Sequence, residues 1–134
     1  MVSARFFAEL FDAAIDNDNF MYVWIPGKGS TYFSDTTKAA EFAEGQTGQN
    51  VYFGLGVTKE HLGSDKRPRP MQVSAIPGLW LDMDIAGPAH KKQNLPASQE
   101  DAIDLINSAL PLSPSLLINS GHGLHAYWLF NEPW

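Results

Sequence analysis

Two aspartates in an apolar stretch are the residues of this chain whose type and spacing best fit catalytic chemistry. Asp82 and Asp84 interrupt the run Leu-Trp-Leu-Asp-Met-Asp-Ile at positions 79–85. Side chains two residues apart in a β-strand point to the same face, so both carboxylates would project together. Burying two like charges is unfavourable unless a cation compensates them, and Mg²⁺ or Mn²⁺ with oxygen ligands is the usual compensator. The alternative explanation is a solvent-facing pair at a strand end.

A glycine-rich bend near the end of the chain is the second candidate. The sequence Ser120-Gly-His-Gly123 separates two apolar runs and is followed by His125. Glycines at a bend let backbone amides approach an anion closely, and an imidazole on the following strand can add a donor to a phosphate oxygen. The alternative is an ordinary hairpin in which His125 is bonded within the sheet.

The two motifs together resemble the archaeo-eukaryotic primase superfamily, and in particular the primase-polymerases of phages, plasmids and integrated elements. The shared pattern is a hydrophobic strand with Asp-x-Asp, then one helix, then Ser-Gly-x-Gly-x-His-x-Tyr-Trp. The resemblance implies that Asp82 and Asp84 hold catalytic Mg²⁺ or Mn²⁺. It also implies that His125 takes part in catalysis by contacting the triphosphate of the incoming nucleotide, with Gly123 in the small-residue position of that motif.

The function implied by the resemblance is that of a DNA primase and DNA polymerase, which performs template-directed nucleotidyl transfer in the replication of a phage or mobile element. Its partners would be nucleoside triphosphates, a single-stranded DNA template and a helicase domain or protein. A third metal-binding acid is typical of the family, but Glu132 is the one acid after His125. We therefore expect the chain to be the N-terminal part of a longer enzyme. The alternatives are a non-catalytic nucleotide- or nucleic-acid-binding fragment and a metal-dependent glycosyltransferase.

Charge is unevenly distributed along the chain. The net charge is −6, which argues against indiscriminate binding to nucleic acid. Residues 59–92 nevertheless hold six of the nine basic side chains and bracket the aspartate pair. A polyanion needs fixed cations, so with Ser120, Gly121, Gly123 and His125 the candidate phosphate-binding residues are Lys66, Arg67 and Arg69. The alternative for these three is a solvated loop.

Amino-acid composition restricts the class of protein to which this chain can belong. With 44% hydrophobic and 18% charged residues, the chain has the composition of a folded domain. It has no cysteine, which excludes disulfides and thiolate sites. We expect no membrane-spanning segment, because no apolar run approaches about 18 residues. We expect no secretory signal, because the N-terminus begins with an amphipathic pattern instead of a charged segment, an apolar core and a cleavage site. We expect a cytoplasmic protein.

Alternating helical and strand-like patterns predict an α/β (α+β) fold with a mixed sheet and flanking helices. We expect one domain over 1–134, with an N-terminal half (1–77) and a metal-site half (78–134) that contains part of an RNA-recognition-like fold. The aromatic residues Phe6, Phe11, Tyr22 and Trp24 are predicted to lie in the core. The predicted helices are 3–16, 37–44 and 98–110; the predicted strands are 20–25, 50–57, 78–85, 115–119 and 124–130; a turn is expected at 26–30 and loops at 58–77 and 87–96.

Overall fold

The computed structural model describes residues 2–134 and has an α+β fold, which confirms the predicted class. The described residues form three α-helices and two three-stranded sheets. They divide into two compact units, one comprising the chain up to Pro77 together with Phe130–Trp134, and the other comprising Gly78–Leu129. Within the described range, no helix is long and apolar enough to cross a membrane.

Two helices pack together in the first unit. Helix α1 spans Val2–Ile15 and helix α2 spans Thr36–Glu44. The side chain of Asp35 accepts a hydrogen bond from the amide of Lys38, which satisfies one of the free donors at the start of α2. Gly45 caps the other end. The hydroxyl of Thr36 donates to the carboxylate of Asp12 at 2.7 Å and ties the two helices together.

The first sheet has the antiparallel order β2-β1-β3. Its strands are β1 (Met21–Ile25), β2 (Gly29–Phe33) and β3 (Tyr52–Phe53). The predicted turn at 26–30 was therefore too long, because Gly29 and Ser30 already pair with β1. The strand predicted at 50–57 was also too long, since only Tyr52 and Phe53 belong to β3.

The core of the first unit lies between one face of this sheet and the helices. Met21, Val23 and Ile25 alternate along β1 and are buried, as are Phe7 and Phe11 of α1. Phe53 makes edge contacts with the rings of α1 at centroid distances from 5.4 to 6.1 Å. Of the predicted core aromatics, Phe11 is fully buried. The prediction overstated the burial of the other three, whose side chains are partly exposed: Phe6, Tyr22 and Trp24.

The predicted loop at 58–77 is ordered by backbone pairing. Thr58 pairs with Phe20, and Ala75 pairs with Val57. A short 3₁₀ turn occupies Pro70–Gln72. Ile76 exchanges two backbone hydrogen bonds with Trp134, at 2.8 and 2.9 Å, which explains why the last residues of the chain group with the first unit.

The second unit is a three-stranded sheet with one helix. Its elements are β4 (Gly78–Asp84), α3 (Gln99–Ala109), β5 (Leu116–Asn119) and β6 (Gly123–Leu129), close to their predicted positions. The strand order is β4-β6-β5. All strand pairs named in the described chain are antiparallel, so the expected mixed sheet is corrected to two antiparallel sheets. Ser98 caps α3, because its side chain accepts a hydrogen bond from the amide of Asp101.

Candidate functional site

Strand pairing brings the two sequence motifs together. In the β4–β6 ladder, Asp82 lies opposite His125 and Asp84 lies opposite Gly123. Directly opposed residues of an antiparallel pair share a face, and so do residues two apart along one strand. Asp82, Asp84 and His125 therefore occupy one face of this sheet. The Asp-x-Asp strand and the glycine-rich hairpin therefore lie side by side in one sheet.

Asp82 is paired with His125 across the strands. The Nε2 atom of His125 lies 3.5 Å from Oδ1 of Asp82, and the side chains are 39% and 68% exposed, respectively. Because the Asp82 side chain is largely exposed, its carboxylate is accessible from solvent. Water also screens the pair, so the interaction between Asp82 and His125 is weak. Burial raises the pKa of the neighbouring Tyr127 hydroxyl, and the charge of Asp82 raises it further.

Asp84 contacts two side chains of the segment that follows its own strand, His90 and Lys92. Its two carboxylate oxygens lie 3.6 Å from Nε2 of His90 and 3.7 Å from Nζ of Lys92. Asp84 is also less exposed than Asp82, at 30% of its side chain. The carboxylate that the sequence predicts as a metal ligand thus already lies beside a lysine ammonium group and a histidine ring of the protein itself. The sequence indicated a basic loop here but did not single out His90.

The hairpin turn is fixed by local hydrogen bonds. Gly121 has a φ of +90°, which favours glycine, and its amide donates to the side chain of Asn119 at 2.8 Å. The amide of Ser120 donates to the carbonyl of Gly123 at 3.0 Å. Two amides that a phosphate-binding turn would use are therefore bonded within the turn in this conformation. An anion would have to compete for them.

A close backbone approach explains the glycine at position 123. A Cβ atom on this residue would lie 2.3 Å from the carbonyl oxygen of Met83 on β4. Any larger residue would push β6 away from β4. The small residue in the second motif is thus required by the pairing that places His125 opposite Asp82.

A cleft of about 220 Å³ adjoins the Asp84 end of the site. It is bounded by the residues that follow β4, by the first residue of α3 and by the hairpin turn. His90 and His122 both line it, and Nε2 of His90 lies 3.2 Å from the carbonyl oxygen of His122. The lining residues are Ile85, Ala86, Gly87, Pro88, Ala89, His90, Gln99, Gly121, His122 and Gly123.

The three predicted phosphate-binding cations belong to the first unit. Lys66, Arg67 and Arg69 are all exposed. The guanidinium of Arg67 lies over the ring of Trp24, 4.3 Å from its centroid. The backbone carbonyl of Lys66 accepts a hydrogen bond from Tyr32. Sequence reasoning did not anticipate either contact, because their partners lie more than 30 residues away along the chain.

The donor set fits a hard divalent cation in type, with two carboxylates on one face and an imidazole beside them. Among residues 2–134, no group of three or more histidine, aspartate or glutamate side chains is arranged to hold a metal ion. To such a cation the aspartate pair would supply two protein ligands, and water or substrate oxygens would complete the coordination.

The comparisons with known proteins give no match. No family model matches the chain, and neither a curated protein nor a solved structure is significantly similar to it. The fold and the site define an α+β protein with a strand-borne carboxylate pair facing a histidine, and any functional assignment rests on those residues.

Proposed function

We propose that this chain carries the nucleotide- and metal-binding site of a primase-polymerase, a DNA primase and DNA polymerase that transfers nucleotides to a growing strand under the direction of a template. The proposal includes Mg²⁺ or Mn²⁺ as cofactor, nucleoside triphosphates as substrates and single-stranded DNA as template. A helicase domain or protein would be a further partner. Replication of this kind would take place in the cytoplasm.

The observation that carries the proposal is the cross-strand register of the two motifs. Two aspartates on one face of β4 face a histidine on β6, and His125 lies 3.5 Å from Asp82. A metal-bound triphosphate needs oxygen ligands for the cation and a donor for the phosphate within a few ångströms of each other. This arrangement provides both from adjacent strands.

The residues of the site have separable roles in the proposed reaction. Asp82 and Asp84 would hold the divalent cation, which when bound neutralises the triphosphate and activates the attacking hydroxyl. His125 would donate a hydrogen bond to a phosphate oxygen, and the turn residues Ser120, Gly121 and Gly123 would line the phosphate. His90 and Lys92 would release Asp84 when the cation binds, because the carboxylate cannot serve both partners equally.

A second candidate function is nucleotide binding without catalysis. It is favoured by the number of acids, since the described residues offer two carboxylates at the site and no third histidine, aspartate or glutamate joins them in a metal-binding group. Two ligands suffice to hold a cation weakly, but nucleotidyl transferases of the proposed class use three. The two candidate functions differ in whether the protein extends a primer.

Binding of Mn²⁺ to the 134-residue chain, followed by electron paramagnetic resonance with and without a deoxynucleoside triphosphate, tests the site. We expect millimolar affinity that the nucleotide strengthens, and loss of binding in Asp82→Asn and Asp84→Asn. Asp104→Asn, an exposed aspartate on α3 of the same unit, is the matched control and should bind as the unaltered chain does. If Asp82→Asn and Asp84→Asn bound Mn²⁺ with the same affinity as the Asp104→Asn control, the proposal would be contradicted.

Primer extension on a single-stranded template with Mn²⁺ separates the two candidates. Extension that is abolished by Asp82→Ala and Asp84→Ala supports the polymerase. Nucleotide binding without any extension selects the non-catalytic module. Undiminished extension in the double variant would contradict both.

A further inference from the structure

One face of the first sheet carries a row of aromatic side chains that the proposed nucleotide site does not use. Tyr22 and Trp24 alternate with the buried residues of β1 and point away from the helices. In register, Tyr22 pairs with Tyr32 of β2, and Trp24 pairs with Tyr52 of β3. Four aromatic rings therefore lie on the same face of this small sheet.

The segment 63–67 is fixed over part of this face. The amide of Ser30 donates to the carbonyl of Ser64 at 2.6 Å, and the hydroxyl of Tyr32 donates to the carbonyl of Lys66 at 2.8 Å. Gly29 allows the approach, because a Cβ there would lie 2.1 Å from the carbonyl oxygen of Ser64. These contacts cover Tyr32, which is buried, and bring the next residue, Arg67, to the ring of Trp24.

Arg67, Trp24 and Tyr52 form a contiguous group, which we call the Arg67 platform. The guanidinium lies 4.3 Å from the Trp24 centroid, and the Trp24 and Tyr52 rings are 5.3 Å apart. Tyr52 lies on an edge strand and is 50% exposed. Stacking over Trp24 limits the freedom of Arg67, so its outward face and the Tyr52 ring are presented together.

The chemistry of the platform suits a single-stranded nucleic acid. An exposed aromatic ring stacks on any base, and an arginine held beside it pairs with the adjacent phosphate or stacks on the base itself. The surrounding segment 59–69 is basic, with four cationic side chains against two acidic ones. In a chain with a net charge of −6, this local excess of positive charge is complementary to a phosphate backbone.

We infer that the Arg67 platform binds a single strand of nucleic acid, with a base stacked on Tyr52, a phosphate paired with Arg67, and Trp24 as the positioning residue in contact with both side chains. The site lies entirely in the first unit and includes neither Asp82, Asp84 nor His125. Binding of the strand does not depend on the proposed function; the role of that strand as a template rests on it.

Fluorescence anisotropy with a labelled oligothymidylate of about 12 nucleotides tests the inference at low salt in EDTA, where metal-dependent binding is removed. A strand of the same length and charge made of abasic sites is the second probe. We expect the oligothymidylate to bind more tightly than the abasic strand. We also expect Tyr52→Ala and Arg67→Ala to weaken binding by about tenfold.

Matched variants separate stacking from general effects. Tyr52→Phe keeps the ring and should bind like the unaltered chain, while Arg5→Ala removes an exposed arginine of α1 and should have no effect. Asp82→Asn should also bind normally, so that a failure of the metal site and a failure of the platform are distinguishable. Circular dichroism of each variant confirms that the fold is retained.

Three results would overturn the inference. Equal affinity for the abasic strand would show attraction by charge alone. Unchanged binding in Tyr52→Ala would remove the stacking site. A dimer by light scattering that Tyr52→Ala converts to monomer would assign the platform to a second copy of the chain.

Discussion

His125 lies directly opposite Asp82 in the β4–β6 ladder, with its Nε2 atom 3.5 Å from the carboxylate. The register that produces this pair depends on Gly123, which meets the carbonyl of Met83 too closely for any side chain. The same pairing puts Asp84 next to the turn, within reach of His90 and Lys92. One strand pair therefore determines the positions of both carboxylates.

Removal of the Asp82–His125 contact should affect ligand binding far more than folding. Both side chains are over a third exposed. Urea unfolding of Asp82→Asn, His125→Gln and the double variant should give a coupling free energy of at most about 1 kcal/mol. Nucleotide binding with Mn²⁺ should fall in each single variant. A coupling of several kcal/mol would contradict this view and indicate a structural role for the pair.

Replacement of Gly123 should destabilise the second unit. In Gly123→Ala, the new Cβ would lie 2.3 Å from the backbone oxygen of Met83, so β6 must shift. We expect the free energy of unfolding to fall by roughly 2 kcal/mol or more, as for other overpacked sites. Gly87→Ala is the matched control, because no atom lies within 4 Å of its added Cβ. Equal stability of the two variants would contradict the close approach.

Local sequence signals predicted most elements of the fold. Helical and strand-like apolar patterns indicated all three helices and strands β4, β5 and β6. Strand β2 escaped detection because Gly29 and Ser30 have the composition of a turn. Ser30 and Tyr32 become buried only through the pairing with β1 and the overlying segment 63–67.

The candidate site also combines features that local sequence predicts with features that depend on tertiary contacts. The shared face of Asp82 and Asp84 follows from strand periodicity, but the register with His125 requires the β4–β6 pairing. The contacts of Asp84 with His90 and Lys92 depend on the path of an irregular loop, and the contact of Arg67 with Trp24 depends on a distant backbone hydrogen bond. No sequence periodicity encodes either relationship.

Stability should fall at alkaline pH through the buried tyrosines. Burial raises the pKa of Tyr32 above its ordinary value of 10.0, and the neighbouring Tyr22 raises it further. At neutral pH the hydroxyl is protonated in both states and adds no pH dependence. Above about pH 10 the unfolded chain releases this proton while the folded chain retains it, so the free energy of unfolding decreases until the pH passes the folded-state pKa.

Tyr32→Phe isolates this contribution. Urea unfolding at about pH 8 and at a pH above 10 should show a smaller alkaline loss of stability than the unaltered chain shows. At neutral pH, the variant should be less stable by about 1 kcal/mol, because the hydrogen bond to the Lys66 carbonyl is lost. An unchanged alkaline loss would assign the effect to Tyr22 and Tyr127, whose pKa values are also raised by burial.

Lys92 should compete with a divalent cation for Asp84. Its Nζ lies 3.7 Å from the carboxylate, so a bound dication would meet a positive charge at close range. The lysine side chain is 77% exposed, so water screens its charge and limits the effect. We expect Lys92→Ala to strengthen Mn²⁺ binding by roughly twofold to fivefold at low ionic strength, with the gain decreasing as salt is added.

Lys91→Ala removes the adjacent exposed charge, which has no such contact with Asp84 in the described structure, and should change the affinity less. Weaker Mn²⁺ binding in Lys92→Ala would instead mean that the lysine orients Asp84 toward the cation.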